Sequence, residues 1–173
     1  MNTSARSSGR TAGWARVRAA RSGRQVVHVE HSIQIQRPVK ELSSTLVEGP
    51  VRWFPRLRQD NSASVGIHVA GLPLRKRVRV EFGESARTST WAVVPITWRA
   101  TFPQALFPVM TGKVSLSPVS QGKSRLSVSG MYEPPLGRLG EELNEAVMRK
   151  VAKATVKEMA QHIAERLERA AAP

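Results

Sequence analysis

Residues 141–170 constrain this chain more than any other stretch. Leu143, Val147, Val151, Val156, Met159, Ile163 and Leu167 fall on or near one stripe at helical spacing, while Glu142, Lys150, Lys153, Lys157, Glu165 and Arg166 occupy much of the remaining surface. At 1.5 Å per residue, a helix of this length runs about 45 Å, the width of a whole domain. Its apolar stripe needs a cover over that distance. A curved sheet has the right shape, and the sequence upstream reads as strands.

Residues 25–36 alternate, with Val27, Val29, His31, Ile33 and Ile35 on one parity and His28, Glu30, Ser32 and Gln34 on the other. This is the pattern of a half-buried strand, and Arg37-Pro38 ends it. Pro38 suits the first turn of a short helix over 38–47, carried by Val39, Leu42, Leu46 and Val47. Gly49-Pro50 breaks that helix, and a second short helical piece holds Val51, Trp53 and Phe54. From 64 to 132 the apolar sets are Val65, Ile67 and Val69; Val78, Val80 and Phe82; Val94, Ile96 and Trp98; Met110, Val114 and Leu116 about Gly112; and Leu126, Val128 and Tyr132 about Gly130. Turn signals at Gly71 and Pro73, Gly83 and Ser85, Pro103 and Ser120-Gln121-Gly122 separate them, and such short links imply antiparallel pairing. Pro95 inside one run predicts a kink or bulge there. Residues 134–140, PPLGRLG, form a rigid connector to the long helix.

With 173 residues the chain suits one domain plus an appendage. Residues 1–24 lack apolar periodicity and read as a disordered Arg/Ser-rich tail, leaving 25–170 as the single domain. The tail has no apolar core of the kind a secretory signal needs, no run is long enough to span a bilayer, and cysteine is absent, which suits a cytoplasmic location. The net charge is +14. Six arginines and no acid lie in the tail, and the domain itself keeps an excess of +8. Such a field attracts RNA, ribosomes or anionic membrane.

Three stretches carry a family resemblance: VPITW at 94–98, LFPVMTGKVSLSPV at 106–119, and the run from Gly130 to Leu167. The last joins Tyr132-Glu133-Pro134-Pro135-Leu136-Gly137 to a helix containing Val151 to Val156. Over residues 26–168 the chain resembles bacterial proteins of the START-like, or SRPBCC, superfamily. The resemblance implies an α+β helix-grip fold, with a curved antiparallel sheet wrapped round the C-terminal helix and two short helices after the first strand. It also implies a cavity between sheet and helix. The superfamily includes lipid carriers, polyketide cyclases and aromatases, coenzyme Q-binding proteins, ribosome-associated proteins and hydrophobic-ligand receptors, so the resemblance specifies a shape and no single activity.

Candidate residues follow from parity. His31 shares the inward parity of its strand and is the one titratable group expected inside, as a polar anchor or a proton carrier. Trp53, Trp98, Met110, Tyr132, Met148 and Met159, with Phe102 and Phe107, are the expected apolar lining. Arg75, Arg77, Arg79, Arg99, Lys113 and Arg125 take the outward parity and are the expected anion contacts. The four histidines lack metal-ligand spacing, no phosphate-cradling glycine loop or nucleophile elbow occurs, and no carboxylate pair falls inside. No metal and no cofactor are expected, and enzyme activity is unsupported. The first reading is non-catalytic binding of a small hydrophobic or amphipathic ligand, a lipid, polyketide or quinone-like molecule. The alternatives are a basic adaptor for RNA, ribosome or anionic membrane, and a polyketide cyclase- or dehydratase-like enzyme using His31.

Overall fold

The computed structural model describes residues 26–54, 57–69, 72–101, 109–133 and 145–171, and at positions 51, 65–69, 72–76, 145 and 147 the description covers the backbone alone. The tail at 1–24, Phe102, Phe107, the connector at 134–140, positions 141–144 and the Arg75 side chain lie outside the described residues.

The first described elements are β1 (Val27–Ile35), α1 (Val39–Glu48) and α2 (Pro50–Trp53). Six strands follow among the described residues: β2 (Ser62–Val69), β3 (Leu72–Phe82), β4 (Ala86–Arg87), β5 (Ala92–Ala100), β6 (Met110–Ser120) and β7 (Lys123–Tyr132). The last described element is α3 (Glu145–Ala170). The described strands form one antiparallel sheet in the order β1-β7-β6-β5-β3-β2, with the short β4 beside β5. β1 and β2 are therefore the two edges, and α3 packs against both of them and against β7. An edge strand offers unpaired backbone groups, and covering it with a helix is one way to blunt it.

The α3 face turned to the sheet carries Met148, Ala152, Val156, Met159, Ala160, Ile163, Ala164 and Leu167, all buried. The alanines keep that face shallow, so the helix can sit close. Thr155, also buried, donates its hydroxyl to the Val151 carbonyl one turn back at 2.9 Å, which leaves no unpaired donor on the packed face. No helix among the described residues is long and apolar enough to cross a membrane.

Pro95 causes no bulge, and β5 pairs in register with β6 straight through it. The Pro95 carbonyl accepts from the Gly83 N–H at 2.9 Å, and in an antiparallel strand a residue's carbonyl and nitrogen point to the same side. The missing N–H of Pro95 therefore faces the break between β3 and β4, and the ladder to β6 loses nothing. The irregularity lies elsewhere: the β6–β7 register shifts by one between Pro118 and Ser120, which leaves Val119 unpaired and 41% exposed. That shift brings Gly112 opposite Gly130. A Cβ on Gly112 would lie 2.0 Å from the Ser129 carbonyl oxygen and 2.9 Å from the Gly130 Cα, so only glycine fits. By contrast, Gly122 in the turn has φ +79° and open space around it. Gly112→Ala is expected to cost about 1–3 kcal/mol or more through backbone overlap. Gly122→Ala should lose only the roughly 1–2 kcal/mol of a left-handed residue. Thermal melts of the two variants check this, and an equal or reversed order would refute the close approach at Gly112.

Candidate functional site

Strand register arranges the inner face of the sheet in rows. The first row is Trp98, Met110, Tyr132 and Val27, across β5, β6, β7 and β1. The second is Ile96, Gly112, Gly130 and Val29, and the third is Val94, Val114, Val128 and His31. The third row is fully buried except for His31, which is half-buried because it stands on the edge strand. The two glycines strip the second row of side chains at its centre. Trp98 and Met110 lean into that space: a Cβ on Gly130 would meet the Met110 Cε at 3.1 Å and the Trp98 Cη2 at 3.2 Å.

The structure thus brings Trp98, Met110 and Tyr132 together as neighbours, and Met148 and Met159 join the same buried cluster from α3. Trp53 belongs to the cluster too, but its polar end is occupied. Its indole N–H donates to the Leu46 carbonyl at 2.7 Å, which satisfies one of the unpaired carbonyls at the end of α1. Its ring meets Phe82 edge-on at 5.9 Å and Phe54 at 6.2 Å, so Trp53 joins the short helices to β3. Phe82 and the glycine pair are the inner-face features that sequence reasoning did not assign to the site. Both glycines are visible inside alternating strands, but their meeting depends on the bulge at Val119.

The inner face has little acid–base chemistry. The buried polar side chains among the described residues are Ser43, Ser62, Ser124 and Thr155, and no carboxylate is buried among them. No group of His, Asp and Glu able to hold a metal occurs among the described residues.

On the outer face, Arg77, Arg79, Arg99, Lys113 and Arg125 all reach solvent. They are spread over that face. Arg79 stands opposite Arg99, and Arg99 is paired with Glu81 at 2.8 Å. Lys113 is aligned with Pro95 and Ser129, and Arg125 with Ser117 and Gln34 towards the far end of β7.

No family model and no curated protein matches the sequence. Solved structures match the shape. A protein of Thermus thermophilus aligns with a TM-score of 0.53 at 14% identity, over 84% of this chain and 100% of that one. A conserved protein from Geobacillus kaustophilus gives 0.50 at 11% identity, over 83% of this chain and 97% of that one. The di-domain ARO/CYC BexL from the BE-7585A biosynthetic pathway gives 0.53 at 16% identity, over 85% of this chain and 48% of that one. The fold is an α+β helix grip. The gripped helix is α3, and the rows of Trp98 and Gly130 face it.

Trp53→Phe separates fold from site. It keeps an aromatic ring but leaves the Leu46 carbonyl unpaired, and is expected to cost about 1–3 kcal/mol of stability. Denaturant unfolding checks the loss, and unchanged stability would show that the indole bond contributes nothing.

Proposed function

We propose that this protein binds a small hydrophobic or amphipathic molecule, of lipid, polyketide or quinone-like character, between the sheet and α3, and that it does so in the cytoplasm without transforming the ligand. The observation that carries this reading is the row of Trp98, Met110 and Tyr132 set beside a glycine pair, sharing one cluster with Met148 and Met159. Aromatic rings and pliable methionines suit a greasy or flat ligand, and the bare glycine row is where such a ligand would find depth. Burying about 200 Å² of apolar ligand surface would contribute about 5 kcal/mol at about 25 cal/mol per Å². His31, half-buried at the end of its row, would supply a polar anchor.

A ligand present at about 100 times its Kd stabilises the native state by about 2.7 kcal/mol, which raises the melting temperature of a domain this size by roughly 5–10 °C. A thermal-shift screen of fatty acids, aromatic polyketides and quinones should reveal such a rise, with a negative heat-capacity change on binding. If no compound shifts the melt and native mass spectrometry finds nothing bound, the proposal fails.

A second reading rests on His31 as an inward-facing proton carrier and on the shared shape with the ARO/CYC BexL. In that case His31→Gln removes turnover of a polyketide substrate while the melting temperature stays put. Turnover that survives the substitution eliminates this reading.

A further inference from the structure

The outer face of the sheet, on the side away from α3, holds a separate hollow of about 480 Å³. Its floor is backbone: Gly112, Gly130 and Val29 line it, and none of them sends a side chain outward. One wall is Pro95, which is held rigidly. Gly83 donates to the Pro95 carbonyl, and a Cβ on Gly83 would come within 2.9 Å of the Pro95 Cβ, so the two strands clasp without slack. Across the floor, in register on β6, β7 and β1, stand Lys113, Ser129 and Glu30. Beside that row Met131, 43% exposed, gives the hollow an apolar side.

Lys113 and Glu30 are two strands apart, so their Cα atoms lie about 9.6 Å from each other. Both reach solvent, and neither forms an ion pair among the described residues. The hollow therefore presents an ammonium on one side, a carboxylate on the other, a hydroxyl between them and apolar surface at Pro95 and Met131. Its size falls within the range of small-molecule sites.

We infer that this outer hollow binds a small zwitterion of the free amino-acid class, with its carboxylate on Lys113, its ammonium on Glu30 and its apolar side group against Pro95 and Met131. The site is independent of the binding region proposed between sheet and helix, and stands or falls separately from that proposed function.

Three probes that differ by one charge test this: L-phenylalanine, 3-phenylpropionate, which lacks the ammonium, and phenethylamine, which lacks the carboxylate. Calorimetric titration of the full chain should show phenylalanine binding at least tenfold more tightly than either analogue. Lys113→Met and Glu30→Gln should each weaken phenylalanine at least tenfold while leaving the melting temperature near that of the parent protein. Absence of phenylalanine binding at millimolar concentration would overturn the inference. So would equal binding of a singly charged analogue, or full affinity in both folded variants.

Discussion

The packing of α3 against both edges of the sheet is the contact on which the rest depends. A long helix with an apolar stripe is unstable in water until something covers it, and a twisted sheet is open at two edges until something closes it. Here each solves the other's problem: β1 and β2 meet the same helix. The inner face then becomes an enclosed apolar space, and everything with an outward parity becomes solvent-facing surface. Val94, Val114 and Val128 are fully buried for this reason, while Lys113 and Arg125, one residue away from inward positions, reach solvent.

The chemistry inside follows from that enclosure. Burying an ionised group without a partner is expensive, and among the described residues the inner side carries hydroxyls and His31 and no buried carboxylate. His31 can be accommodated because it sits on the edge strand, where its imidazole is half-buried. Where the glycines remove side chains, Trp98 and Met110 lean into the space, and a methionine side chain is adaptable. The described interior is thus apolar, with its polar atoms confined to hydroxyls, the Trp53 indole and the imidazole at the sheet edge.

Strand parity is readable from the alternation of β-branched residues, and so are the long helix, the two short helices and the Gln121-Gly122 turn. Register is not. A two-residue turn at 121–122 with unbroken pairing would set Gly112 opposite Met131; the extra residue Val119 moves it to Gly130. No local pattern announces that bulge. Pro95 misleads in the opposite sense, because its effect depends on which neighbour its nitrogen faces, and that neighbour is a gap between β3 and β4. Trp53 has the size and apolarity of a lining residue, whereas its role turns on a carbonyl seven residues earlier in the chain, at the end of α1. The two-residue β4 carries too little pattern to be seen at all.

Methionine methyl resonances offer the most direct test of the central claim, because the four methionines among the described residues divide between the two faces. Met110, Met148 and Met159 are buried in the cluster between sheet and helix, and Met131 is exposed on the outer face. When a fatty-acid or quinone probe is titrated into protein labelled at its methionine methyls, the account predicts that the signals of Met110, Met148 and Met159 move while that of Met131 stays. Movement confined to Met131, with the three buried methyls unchanged at saturation, would contradict it.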